Sequence, residues 1–319
     1  LPPHFAERLQ QTFFPEAVAG LTWDGAVLAV PAWANITGLW YNRQVLQEKG
    51  IADIPSTWDE LFDLAQRIST VGSDGVVIPA LGTLPEMWSL GRIMVAMLVS
   101  EGGDLLTPDG RIALFAEESR NAINKMVEAV QRRALDIDWR GGRIGIDSDL
   151  AFSLGWNYFV RTIDTQTVKD VGAALLPAGA VGHSALFYHH AVAVAKGSNQ
   201  EAAFDFLEWL TFEASPTTGL VPLVHSTAAS LNLPFHMDAV TRFPEYYGEY
   251  SDAMFDFMRN MDYGVSVMRY IRQGVSPDVV GTVVSKILDG MSPLQAINDA
   301  IIEVQINIQE WQEMLKGRM

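Results

Sequence analysis

Apolar residues at Leu61, Leu64, Ala65 and Ile68 stand at i, i+3, i+4 and i+7, a spacing that lays one hydrophobic stripe along a helix. Just before them, Thr57 and Glu60 are three residues apart. At that spacing a hydroxyl and a carboxylate satisfy free amides of a first helical turn. The helical period returns in Ala122, Met126 and Val130 of a helix predicted over 117–133. It returns again over 199–212, where Ala203, Phe206, Leu207 and Leu210 are assigned to the buried side. Further helices are predicted near the start and over 42–50, 85–100, 246–258, 276–288 and 293–316.

Between the helices lie short apolar runs bounded by turn residues, the signature of buried strands. An Asp24-Gly25 turn leads into one that ends near Pro31, and a second runs over 36–40. A third is predicted over 76–81. "EGGDLLTPDGRIAL" reads as turn, strand, turn, strand, and "DVGAALLPAG" and "SALFYHHAVAVAKGS" as strands joined by a Gly-rich loop. Strands alternating with helices predict a layered α/β fold. No internal repeat, low-complexity tract or loose linker interrupts the pattern, so if there are two lobes the chain crosses between them by strands.

Length and charge narrow the classes. The 319 residues suit one large domain or two lobes, and 49% hydrophobic with 19% charged residues describes an ordinary globular chain. With 22 basic against 38 acidic side chains the net charge is -16, which disfavours nucleic acid and anionic membrane surfaces as partners. There is no cysteine, so disulfides, thiolate metal sites and cysteine nucleophiles are excluded together. No run reaches the roughly 18 to 20 apolar residues of a spanning helix, and no basic-then-apolar leader opens the chain.

One long stretch carries more than its periodicity. "DGAVLAVPAWANITGLWYNRQVLQEKGIADIPSTWDELFDLAQRI" resembles the extracellular solute-binding proteins of ABC importers, in the sugar-binding group related to maltose-binding protein. The features that carry the resemblance are Asp24-Gly25 before a strand ending at Pro31, a strand ending in Tyr41-Asn42, and the Pro55, Thr57, Trp58, Glu60 step into a helix. "SEGGDLLTPDGRIAL", "DVGAALLPAG", "AVAVAKGSNQEAAFDFLEWLT" and "LDGMSPLQAINDAIIEVQ" extend it along nearly the whole chain. Family members begin with a strand, an early helix and a Pro-Asp-Val stretch that do not precede Leu1, so the resemblance implies that the opening portion of the first lobe is missing here.

The resemblance implies a two-lobed periplasmic-binding-protein-like α/β fold, with a ligand cleft between lobes joined by hinge strands. Residues 1–34 would be the rest of the first lobe and the first hinge crossing, 35–187 the second lobe, 188–240 the return, and 241–319 C-terminal helices packed mainly on the second lobe. It also implies a carbohydrate ligand, ABC permease subunits as partners, an extracytoplasmic location (periplasmic or lipid-anchored), a monomer, and no cofactor or metal. The alternatives are a carbohydrate-active enzyme such as a glycosidase, or a binding protein for a non-sugar solute.

A sugar ring presents an apolar face that stacks on aromatics and a hydroxyl rim that needs amides, carboxylates or Arg. The resemblance directs that chemistry to Trp33 and Asn35 after Pro31, Glu86 and Trp88 at a helix start, and Trp156 and Tyr158 in "LGWNYF". Core packing accounts for each of these pairs equally well. Tyr41-Asn42 and Trp58 are read as architecture: a helix cap and a core anchor. In "FYHHAVAV", Tyr188 and His189 are expected to reach the ligand. Adjacent histidines point to opposite faces of a strand, so only one of His189 and His190 can do so and the two form no metal pair. No Gly-x-Ser-x-Gly elbow, Gly-x-Gly-x-x-Gly loop or Walker loop appears, and the acids form no recognisable catalytic pair.

Overall fold

The computed structural model describes residues 1–83, 87–137, 150–162, 167–197, 199–237, 239 and 242–316. Helices and strands alternate, and one 13-residue strand, Val30–Asn42, organises the sheet. Its first half pairs antiparallel with Ala185–Val192, setting Asn35 opposite Tyr188 and Trp33 opposite His190, with a bulge between Pro31 and Trp33. Leu233–Pro234 also joins this half, and Gly264–Ser266 adds in parallel beyond Ala185–Val192.

The second half takes new partners. Residues 37–41 pair with Phe152–Trp156, residues 39–42 pair with Val171–Ala174, and Leu81–Thr83 lies parallel beyond Phe152–Trp156. The exchange falls between Ile36 and Thr37. There the Ile36 N–H donates to Asn157 Oδ1 at 2.8 Å, and the Thr37 hydroxyl accepts from Leu186 N–H at 2.9 Å. One strand therefore belongs to two sheet halves. The sequence pattern suggests two strands here because Trp33 and Asn35 interrupt the apolar run. In the fold they are the half-buried positions of one alternating face, between buried Ala32, Ala34 and Ile36.

The helix Trp58–Ile68 starts as its cap residues predict. Thr57 Oγ1 accepts from Glu60 N–H at 3.3 Å, and the Glu60 carboxylate accepts from Thr57 N–H at 3.2 Å. Trp58 is fully buried and donates through Nε1 to Ser100 Oγ at 3.0 Å. Asn42 caps Arg43–Glu48, its Oδ1 accepting from Val45 N–H at 3.1 Å. These residues have the architectural roles expected of them.

Three expectations are corrected. Val77–Ile78 forms a small surface hairpin with Thr70–Val71, Val76 is 60% exposed, and the buried strand of this region is Leu81–Thr83. The stretch after Glu101 holds an isolated Leu106–Ile112 bridge in place of two strands. In the helix Gln200–Phe212, Leu207 and Thr211 define the buried stripe at i, i+4. Phe206 lies one helical position off that stripe, and it is 54% exposed beside Trp209.

The helix Met87–Ser100 packs closely against Asp278–Leu288. Gly91 makes this approach possible, since a Cβ there would stand 2.7 Å from Asp278 Cα and 2.8 Å from Pro277 O. The last helix, Pro293–Lys316, rests on Asp278–Leu288.

Candidate functional site

Strand alternation assigns the side chains around the partner exchange to two faces. Trp33, Asn35, Tyr188 and His190 share one face across the register, while Ala34, Ile36, Phe187 and His189 share the other. The second face is core: Ala34, Ile36 and Phe187 are fully buried. His189 stacks on Phe235 with ring centroids 5.1 Å apart, and its Nδ1 lies 3.1 Å from Ser266 Oγ. Burial holds the His189 pKa down to about 4, against the pull of the Glu16 and Ala17 carbonyls. The histidine on the half-buried, polar face is thus His190, one residue later than the sequence reading placed it.

On that face the Trp33 ring stacks on His190, centroids 4.7 Å apart at 12°. Asn35 Nδ2 lies 3.2 Å from His190 Nε2, and Asn35 Oδ1 is buried without a hydrogen-bond partner among the described residues. A buried acceptor left unmet costs on the order of 1 to 3 kcal/mol, which a ligand hydroxyl would recover. Burial, and after it the nearby Arg161 charge, lowers the His190 pKa and favours the neutral imidazole.

Across the exchange point the face continues into Phe152–Trp156 and the 3-10 turn Asn157–Thr162. Trp156 packs edge-on to Tyr188 at 5.6 Å and lies near-parallel to Tyr158 at 6.3 Å. Trp156 is itself only 1% exposed, whereas Tyr158 is half-buried. Arg92 places its guanidinium 4.0 Å from the Tyr188 ring centroid and 5.4 Å from that of Trp156, within cation–π range. Its Nε lies 3.6 Å from Asp278 Oδ1, a contact that the Gly91 crossing brings about. Burial pushes the Tyr188 hydroxyl up to about 12, tempered by Arg92, so it stays a hydrogen-bond donor at neutral pH. Ser89 precedes Arg92 by one turn on the same helix face, and its Oγ is buried without a partner among the described residues.

Six of the eight sequence-derived positions can be placed in this way. Trp33, Asn35, Trp156, Tyr158 and Tyr188 come together, and His189 lies behind them in the core. Glu86 lies outside the described residues, as does the side chain of Trp88 in the first turn of Met87–Ser100. The sequence reading missed His190, Arg92, Asn157 and Arg161. Two left a signal: His190 stands two residues from Tyr188, and Arg92 is the lone charge in an otherwise apolar helix.

This arrangement sits in a chain whose residues 5–215 match the family model for the bacterial extracellular solute-binding proteins, and the chain belongs to that family. It is 26% identical over 106 residues to the putative ABC transporter periplasmic-binding protein YcjN of Escherichia coli (strain K12). That match spans 33% of this chain and 23% of that protein. Its fold is similar to that of the cyclic alpha-maltosyl-1,6-maltose binding protein from Arthrobacter globiformis, with a TM-score of 0.75 at 20% identity over 95% of this chain and 78% of that one. It is also similar to maltose-bound MalE3 of T. maritima, with a TM-score of 0.70 at 20% identity and the same coverage of both chains. The fold is the two-lobed periplasmic-binding-protein fold. Among the described residues no helix is long and apolar enough to cross a membrane.

Proposed function

We propose that this protein is the solute-capturing component of an ABC importer and that its ligand is a carbohydrate, held on the face built by Trp33, Asn35, Tyr188 and His190 and extended by Trp156 and Tyr158. The observation that carries the reading is the joining of half-buried aromatics with a buried, unsatisfied amide oxygen on one face, at the point where a single strand passes from one sheet half to the other. Aromatics supply area for the apolar face of a sugar; the amide, the imidazole and the tyrosine hydroxyls hold its rim.

The partner exchange between Ile36 and Thr37 supports a lobe boundary close to the expected one, which has residues 1–34 and 188–240 on one side and 35–187 on the other. The packing of Asp278–Leu288 on Met87–Ser100 supports assigning the C-terminal helices to the second lobe. Closure about this boundary would bring the lobes together over the ligand and present the closed form to a membrane permease outside the cytoplasm. A ligand drives such closure only by binding the closed form more tightly than the open one. The protein acts as a monomer and binds without turnover.

A thermal-shift screen of sugars and polyols tests the reading. A compound present at about 100 times its Kd raises apparent stability by roughly 2.7 kcal/mol, and chromatography of the incubated mixture should return it unchanged. Conversion of the stabilising compound would mean an enzyme, and absence of any shift across the screen would remove carbohydrate as the ligand.

A further inference from the structure

Among the described residues, the face just described has beside it one cation that no carboxylate meets. Arg161, at the end of the Asn157–Thr162 turn, lies beside this face, since its partner Asn232 directly precedes Leu233, which pairs with Ala34 between Trp33 and Asn35; its charge also helps to lower the His190 pKa. Its Nη2 donates to Asn232 Oδ1. Asn232 is buried and anchored in turn, its carbonyl accepting from the buried Tyr247 hydroxyl. A neutral amide thus fixes one edge of the guanidinium, and no carboxylate pairs with it among the described residues. Arg92, the other cation, is paired with Asp278. Among the described residues the buried acceptors left without a hydrogen bond here are Asn35 Oδ1, the Ser89 hydroxyl and Asp278 Oδ1, the last already facing Arg92, while Tyr158, Tyr188 and Arg161 bring hydroxyl and guanidinium donors.

A neutral sugar rim is made of hydroxyls, each of which must give a proton as well as receive one. A site for it therefore needs acceptors, carboxylates above all. With the described carboxylate Asp278 engaged by Arg92, the remaining edge of the Arg161 guanidinium is matched by a ligand that brings its own acceptor. The molecule as a whole, at -16, repels anions, so an anionic ligand could be held only where a cation is fixed locally and left unneutralised. The planar guanidinium, steadied on one edge by Asn232, has donors remaining to fork onto a carboxylate.

We propose that the ligand of this face is an acidic carbohydrate, a sugar acid whose carboxylate is received by Arg161 while a ring hydroxyl donates to Asn35 Oδ1. This deepens the carbohydrate-binding reading and rests on it. The test is calorimetric titration with D-glucuronate, D-galacturonate and D-gluconate beside D-glucose, D-galactose and maltose, at low and high salt. At least one acid should bind roughly tenfold or more tightly than its neutral counterpart, with an affinity that falls as salt is raised. Arg161→Gln should weaken that acid by about tenfold to a hundredfold while the melting temperature of the unliganded protein holds. Arg161→Lys, which keeps the charge and loses the fork, should fall between.

If neutral sugars bind as tightly as the acids, or if Arg161→Gln binds the acid like the parent protein, the acidic ligand is overturned and the carbohydrate reading stands. If neither set binds, both readings fall together. Should Arg161→Gln fail to fold, the salt dependence and Arg161→Lys still decide: an acid affinity indifferent to both overturns the proposal.

Discussion

At the scale of single residues, the two large indoles Trp58 and Trp156 separate core from site. Both are essentially buried, and Trp58 is bonded to Ser100 and packs on Phe62, neither of which belongs to the polar face. Each truncation to Ala should cost roughly 3 to 5 kcal/mol of stability in urea unfolding. They should differ in binding. Trp156 packs against Tyr188 and beneath Arg92, so Trp156→Ala should weaken the ligand identified by screening, while Trp58→Ala leaves the intrinsic affinity of the folded fraction intact. Equal affinities in calorimetry would make Trp156 a core residue only. His189 yields a pH signature. Its folded pKa of about 4 lies below the ordinary histidine value of 6.5, so the unfolded chain binds the proton more readily. The stabilisation this represents is complete above about 6.5 and is lost as pH falls toward about 4, amounting to on the order of 3 kcal/mol at most. Unfolding midpoints across that window should drop less in His189→Phe, which keeps the stack on Phe235 and removes the titrating group. An unchanged slope would show that other groups govern acid stability.

At the scale of elements, the site depends on a helix crossing made outside it. Arg92 reaches Tyr188 because Met87–Ser100 lies close enough to Asp278–Leu288 for Asp278 to hold the guanidinium. In Gly91→Ala the new methyl would meet backbone, which cannot swing aside as a side chain can. The helices should part, costing about 1 to 3 kcal/mol, and ligand affinity should fall although residue 91 belongs to no binding face. Retained affinity and stability together would show that the crossing has slack. The same scale explains which elements were legible. Trp58–Ile68 was readable from Thr57, Glu60 and the Leu61–Ile68 period because cap and stripe are local. The hairpin Thr70–Val71 with Val77–Ile78 was not, because an apolar run does not say whether it faces core or solvent.

At the scale of the molecule, the proposed closure should be visible in solution. Saturating ligand should reduce the radius of gyration in small-angle scattering, in step with the calorimetric occupancy. Unchanged scattering at full occupancy would mean that binding does not move the lobes. The strand Val30–Asn42 is the element to watch, since its exchange of partners at Ile36 and Thr37 is where the two sheet halves meet.

The amino-acid order alone determined the alternation of helices and strands, the caps at Asn42 and Thr57, and the motif string that marks the family, because each depends on residues a few positions apart. It also identified five of the aromatic and amide side chains that gather around the exchange point. Only the tertiary structure decided that two expected strands are one, and that His190 shares the face of Tyr188 while His189 lies in the core. It alone brought Arg92 and Arg161 to that face, from a helix and a turn remote in the chain from Tyr188. The reason is physical: parity along a strand says which residues share a face, but which face is covered depends on the helices and strands that pack there. Those contacts join residues more than a hundred positions apart, as between Ile36 and Asn157.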